Sequence, residues 1–205
     1  MGEHLGALQA SRLPIAIRRA EEKTKDLQQD LAADSLIQAA QRAKTVTQRI
    51  VWLQRAATAW ARPLETVATC KKGCAHCCRI PITISRKEAD LIARATGRAV
   101  AAPLRPVRPA DLRDDAAVAK ASARLQHWKT GIACPFLDDS SYSARPLACR
   151  VLLNLDDDDL LCRHSESGPA DVPYADSRLI RALALVAQPA EVLADIRDFF
   201  PSPTS

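Results

Sequence analysis

The residues best equipped for chemistry in this sequence are its cysteines. Four of the seven fall within nine residues, in Cys70-Lys71-Lys72-Gly73-Cys74-Ala75-His76-Cys77-Cys78. Three more follow singly, at Cys134, Cys149 and Cys162. Thiolates are the soft ligands of zinc, copper(I) and iron–sulfur clusters, and such sites draw on short-spaced pairs or triplets. A short spacing lets one loop wrap a metal at a Zn–S distance of about 2.3 Å, while separate loops supply the remaining ligands. This chain has that layout. The bland alternative is a set of scattered buried thiols, since free cysteine is among the most buried residue types. Four chance cysteines in nine residues, two of them adjacent, argue against it. The expected ligands are Cys70, Cys74, Cys77, Cys78, Cys134, Cys149 and Cys162, and the expected cofactor is zinc or an iron–sulfur cluster.

The neighbours suit ionised thiols. Lys71, Lys72 and Arg79 flank the dense loop, Arg145 and Arg150 flank Cys149, and Arg163 follows Cys162. Positive charge nearby lowers a thiol pKa and offsets an anionic site. The same residues also read as ordinary surface charge. Seven thiols exceed the four that one tetrahedral zinc or one four-iron cluster takes from protein. Some are then spare or redox active, or two metals share thiolates, or one site uses a subset. The adjacent Cys77 and Cys78 point in different directions and suit different sites. His76 reads equally as a ligand or as a ring that supports ligands or faces solvent. His164 carries a weaker signal, and His4 and His127 none. The run Asp156 to Asp159 lacks the EF-hand pattern and reads as a solvated turn.

The elements that must position these residues are mostly helical. From Ile15 to Ala61 there is no glycine or proline, and good helix formers dominate. Val46, Ile50, Leu53, Ala57 and Trp60 repeat at the spacing of one helix face. Asp34-Ser35 with Gln38 forms a capping box. The expectation is two helices, 14–33 and 35–61, with Arg62-Pro63 ending the second and Trp52 and Trp60 packing in the core. One continuous helix is the alternative, and it would pair with a second copy as a coiled coil. On a helix the dense cysteines would share one face, but Gly73 favours a turn-rich loop equally well. Residues 80–84 alternate like a strand, and Pro81 confines it to an edge. Ser85 with Glu88 opens a helix that Gly97 closes. A proline-rich connector follows, then a helix over 111–129. Pro146 suits the first turn of a helix that lifts Cys149 inward. Two further helices are expected at 174–187 and 189–199, divided by Pro189.

Composition sets the frame. The chain has 205 residues, long enough to bury a core without staples. Its hydrophobic fraction of 47% is ordinary, and its aromatic fraction of 4% leaves the core to aliphatic side chains. The expected fold is mainly α with a little β (α+β): an irregular cysteine-rich core over 63–167, flanked by N-terminal helices over 1–62 and C-terminal helices over 168–205. The net charge of +5 is spread along the chain, so a nucleic-acid surface is not indicated. Residues 1–10 lack the pattern of a signal peptide, and no long apolar run predicts a membrane span. A cytoplasmic location follows as an expectation, and there thiols stay free, bind metal or do redox work. An odd total also fits a complete disulfide framework poorly.

The pattern Cys70-x-x-x-Cys74-x-x-Cys77-Cys78, then Ile82-Thr83-Ile84-Ser85 and Glu88-Ala89, resembles the CxxCxxCC (YkgJ-like) cysteine-cluster family, described as zinc- or iron-chelating. The resemblance continues through Cys134-Pro135-Phe136-Leu137 and Tyr142-x-x-Arg145-Pro146-x-x-Cys149-Arg150 to Cys162, over about 65–165. It implies metal binding. Family members often carry a cysteine three residues before the motif tyrosine, where this chain has Asp139. A carboxylate ligates zinc but is not the usual ligand of an iron–sulfur cluster. Flagellin lysine-N-methylase is a more distant resemblance and implies cluster-dependent methyl transfer. The Cys70, Cys74 and Cys77 spacing is also that of radical S-adenosylmethionine enzymes, but this chain shows no series of βα units. Three functions are therefore weighed: a metal-binding protein without catalysis, a cluster-dependent redox or methyl-transfer enzyme, and a metal-stapled interaction or regulatory protein whose helical ends bind a partner.

Overall fold

The computed structural model describes residues 2–28, 30–70, 74–126, 132–137, 145–163 and 170–201. Three helices, not two, precede the dense cysteine loop. The first, α1 (Gly2–Thr24), starts earlier than expected and runs through Pro14. An interior proline removes a helical hydrogen bond, so tertiary docking must hold this helix. It does: Gln9 Nε2 donates to the carbonyls of Leu160 (2.9 Å) and Arg163 (2.7 Å), and Arg12 grips Asp156. The second, α2 (Leu31–Arg42), is capped by Asp30, which accepts from Ala32 N–H. The third, α3 (Val46–Glu65), opens on a capping box between Thr45 and Gln48 and passes Pro63. These caps place the breaks near 25–30 and 43–45, so Asp34 and Ser35 lie inside α2 rather than ahead of it. The apolar face of α3 is as expected: Ile50, Leu53 and Ala57 are buried, and Trp60 packs half-buried against them.

Beyond the cysteine loop, Thr83–Ser85 forms β1 and Arg86–Thr96 forms α4. Ser85 ends the strand and caps the helix through the expected box with Glu88. Gly97 closes α4 at φ +72, in the left-handed region that a side chain would strain. Glu88 is buried and does more than cap. It accepts from Leu147 N–H (2.8 Å) and Gln54 Nε2 (3.1 Å) as well as from Ser85. One carboxylate thereby joins α3 and α4 to α6 (Leu147–Val151). Between them, α5 (Asp115–Leu125) begins at an Asp114 cap. The expected end of that helix, with Trp128, lies outside the described residues.

The C-terminal region departs furthest from expectation. The helix α7 (Arg178–Val186) forms, but no second helix follows over 189–199. Leu193–Asp195 is a strand, β2, antiparallel to β1 in the register Thr83 with Asp195, Ile84 with Ala194 and Ser85 with Leu193. One helical turn, α8 (Ile196–Phe199), follows. The segment has helix-forming composition, yet sheet pairing and burial of Ile196, Phe199 and Phe200 override it.

The fold is thus mainly α with a little β. Three apolar clusters hold it. The first gathers Ile82, Ile84, Ile92, Ile196, Phe199 and Phe200 around the sheet, with Cys134 and Cys149 packed against it. The second lies where α2 and α3 meet α6 and α7. The third joins α1 and α3 to Leu153, Leu155 and Ala175, with Cys70 at its edge. Among the described residues no helix is long and apolar enough to cross a membrane. Phe199 has no exposed surface, and its ring belongs to the first cluster. Replacing it by alanine is expected to cost about 3–5 kcal/mol in urea denaturation. Leu104→Ala, at an 88% exposed position, should change stability by less than about 0.5 kcal/mol.

Candidate metal centre

The chain brings its cysteines together from four separate segments. Cys70 leaves α3 by a short run in which Thr69 N–H donates to the Asn154 carbonyl (2.9 Å). Cys77 and Cys78 lie on a single 3-10 turn, His76–Arg79, and their side chains hydrogen-bond to each other rather than pointing in different directions as the sequence suggests. Cys134 is tied to that turn, its N–H donating to the Cys78 carbonyl (2.7 Å). Cys149 rides on α6 directly after Pro146. Cys162 ends the 3-10 turn Leu160–Cys162. All seven thiols are free, and all are partly buried. Each stands within electrostatic reach of another: Cys162 with Cys70 and Cys74, Cys77 with Cys78, Cys149 and Cys70, and Cys134 and Cys149 with Cys78.

Asn154 organises one side of this group. Its side chain is almost wholly buried. Its backbone N–H donates to Cys70 Sγ (3.3 Å), and its Nδ2 donates to Cys162 Sγ (3.3 Å) and to the Asp158 carbonyl (3.0 Å). Its Oδ1 accepts from Asp156 N–H. The backbone N–H at Cys70 and the side-chain N–H at Cys162 each pull a thiol's titration down, against the larger upward push of burial. The sequence signal for it was a lone polar residue inside the apolar run 151–155. Tyr174, paired with Asn154 across an isolated bridge, also escaped the sequence reading. Its phenol is pushed up by burial and by the neighbouring Cys162, Cys77, Cys70 and Cys74.

Arginines organise the other side. Arg197 is buried against Asp195 and donates through Nη2 to the carbonyls of Ile132 (2.6 Å), Ile80 (3.1 Å) and Cys78 (3.5 Å). Arg145 donates to the Cys149 carbonyl, and Arg150 Nε donates back to the Arg145 carbonyl (2.9 Å). Of the flanking cations read from sequence, Lys71 and Lys72 lie outside the described residues.

Burial and mutual repulsion set the thiol titrations. Burial pushes Cys70 and Cys134 up, and it pushes Cys149 and Cys162 up to about 12. Cys78 moves the other way, down to about 6, because the Cys77 thiol hydrogen-bonds to it and Arg145, Arg197 and Arg79 stand near. Cys77, the donor of that bond, is pushed up by holding its proton against Cys78 and by burial.

A cavity of about 640 Å³ opens beside Cys70, Cys74 and Cys162. Its wall includes Asn154, Arg79 and the Asp157–Asp159 turn. His76 also lines it, with Nε2 placed 3.0 Å from Asp159 Oδ2. The acidic turn is not simply solvated. Asp156 has no exposed surface, and Arg12 binds it with two nitrogens at 2.8 and 3.0 Å. Arg19 and Lys23 of α1 pair with Asp157. The spacing of Arg12, Arg19 and Lys23 puts all three on one helix face. Asp139, Tyr142, His127 and His164 lie outside the described residues.

As donors these thiols fit a soft metal: they are numerous, unoxidised and flanked by arginine. Their spacing is not yet that of a coordination shell. Among the described residues no group of three or more His, Cys, Asp or Glu side chains is disposed to hold a metal ion.

In the reduced, chelator-treated protein, iodoacetamide at neutral pH is expected to label Cys78 before Cys149 or Cys162, read by peptide mass mapping. The rate at Cys78 should fall as pH drops through about 6 and its thiolate gains a proton. Earlier labelling of Cys162 would contradict the assignment. Comparison with protein-family models, curated proteins and solved structures finds no match to this chain.

Proposed function

We propose that this is a metal-binding protein whose cysteines hold zinc or an iron–sulfur cluster, as the resemblance to the CxxCxxCC family implies. The observation that carries this reading is that seven free thiols from four chain segments each stand within electrostatic reach of another. Unpaired thiols so close together suit a reducing cytoplasm, where they stay available as ligands. Cys70, Cys74, Cys77, Cys78, Cys134, Cys149 and Cys162 are the donor set. Zinc held there would tie the segments together, and an iron–sulfur cluster would add electron transfer.

The protein's own residues prepare the set in two ways. Arg145 and Arg197 supply positive charge beside thiols that burial otherwise keeps protonated. Asn154 directs donors at two sulfurs. Metal capture then competes with protons on Cys149 and Cys162, whose pKa stands near 12. Binding is accordingly expected to release protons and to strengthen as pH rises.

The cavity beside Cys70, Cys74 and Cys162 favours a second reading, a cluster-dependent redox or methyl-transfer enzyme, because small molecules can reach three of the thiols there. The departure at Asp139 favours zinc over a cluster.

Anaerobic purification followed by assay of zinc, iron and acid-labile sulfide decides among these. Stoichiometric zinc in colourless protein supports a structural metal. Iron with sulfide and broad absorption near ~400 nm supports a cluster. A well-folded protein that takes up neither, even when both are supplied under reducing conditions, would overturn the proposal.

A further inference from the structure

A second cavity lies away from the thiols, with no cysteine among its lining residues. Its volume is about 420 Å³, and its walls come from α2, α3 and the Arg150 side chain of α6. Three guanidinium groups line it, those of Arg55, Arg62 and Arg150, and none of the described residues lining it is acidic. Arg55 and Arg62 are seven residues apart in α3 with Thr58 between them, so the three share one helix face.

The composition of α3 sets this face apart from an ordinary solvated one. Exposed helix faces balance arginine with acids three or four residues away. In α3 the first acid is Glu65, at the very end. Its remaining arginine, Arg49, is committed elsewhere, to the carbonyls of Ala43 (3.1 Å) and Ala187 (3.5 Å). Two carboxylates come near the cavity. Asp30 Oδ2 pairs with Arg62 Nη1 at 3.1 Å, an exposed contact that holds the arginine weakly. Glu88 is committed to Gln54 Nε2 and to the N–H groups of Leu147 and Ser85.

The other two arginines are positioned without an acid in these contacts. Arg150 is half-buried, and its plane is fixed at two points: Nε donates to the Arg145 carbonyl (2.9 Å) and Nη1 to Thr58 Oγ1 (3.0 Å). Arg55 is exposed and lies over the Trp52 ring at 4.8 Å, and it makes no ion pair among the described residues. Guanidinium presents a planar fork of donors that matches phosphate oxygens in pairs. Three forks around one cavity offer more donors than the two oxygens of a single carboxylate accept, and a phosphoryl group has oxygens for them. Leu36 and Val51 add apolar surface to the same walls. Small-molecule sites combine these features, a few convergent polar groups on an apolar lining, in volumes of about 300–1,000 Å³.

We propose that this cavity binds an organic phosphate, with the phosphoryl oxygens on Arg55 and Arg150 and a ring-bearing body against Leu36 and Val51. Arg62 closes the site from the α3 C-terminal side, exchanging its contact with Asp30 for the ligand. The site is independent of the metal chemistry proposed for the cysteines.

Isothermal titration calorimetry of the reduced full-length protein, in metal-free buffer of low ionic strength, tests this with adenosine diphosphate as probe. One molecule is expected to bind per chain, more tightly than inorganic pyrophosphate, and less tightly as salt is added. Arg55→Gln should weaken binding about tenfold, the loss of one charge-assisted contact. Because Arg55 is exposed, its far-UV circular dichroism should match wild type. Arg178→Gln, at a 91% exposed side chain outside the cavity, should leave binding unchanged. A folded wild type that binds neither probe would overturn the proposal. Equal binding by Arg55→Gln, or equal weakening in Arg178→Gln, would overturn it by removing the site or reducing it to net charge. Pyrophosphate or sulfate binding as tightly as adenosine diphosphate would overturn the assignment of an organic ligand. A single-stranded RNA bound through Arg55 where adenosine diphosphate is not bound would overturn it in favour of a nucleic-acid surface.

Discussion

The ion pair between Asp195 and Arg197 is the interaction on which the cysteine region depends. Both side chains are buried, which makes each charge costly to hold outside water. The cost is offset by many hydrogen bonds, although Arg197 Nε is buried without a partner. Asp195 accepts from Ile82 N–H (2.7 Å), from Arg197 N–H (2.8 Å) and from Arg197 Nη1 (3.0 and 3.1 Å). Arg197 spends Nη2 on three carbonyls, those of Cys78, Ile80 and Ile132, all on the segments that carry Cys78 and Cys134. Removing one member of such a pair costs about 3–5 kcal/mol, because the other charge is left without a partner. Here the loss would reach further. The same two residues end β2, start α8 and fix where the dense cysteine turn sits on the sheet. The cysteine loops have little regular structure of their own, so their geometry is borrowed from this clamp.

A second clamp works from the opposite side. Helix α1 presents Arg12, Arg19 and Lys23 to the acidic turn before Cys162, and Lys23 Nζ also donates to the Leu155 and Asp156 carbonyls (3.0 Å each). The pairs on Asp157 are half exposed and contribute little each. The Arg12–Asp156 pair is different, since its carboxylate is fully buried and bound in bidentate fashion. Asp156 also touches the cysteine region directly, because its backbone N–H donates to Asn154 Oδ1 and its carbonyl accepts from Thr69. The chain from helix to thiol is short: Arg12, Asp156, Asn154, then Cys70 and Cys162.

Much of the local structure was legible in the sequence. The Ser85–Glu88 box, the Gly97 stop and the apolar face of α3 all depend on neighbouring residues, which a sequence displays directly. The proximity of Cys134, Cys149 and Cys162 to the dense loop was expected from cysteine chemistry rather than from periodicity. What escaped was set by distant partners. Residues 189–199 look helical until β1 is available to pair with them. Pro14 looks like a helix start until the docking of α1 is known. Arg197 falls within an expected helix and Asp156 within a solvated turn, because neither shows its buried partner in the linear text. Asn154 and Tyr174 carry no motif at all, and their importance comes only from the sulfurs beside them.

Sulfur is the ligand proposed for the metal. X-ray absorption at the edge of the metal bound by anaerobically purified protein tests this most directly. The expected result is a first shell dominated by sulfur, at about 2.3 Å for zinc. A first shell of oxygen and nitrogen alone, with no sulfur scatterer, would contradict it.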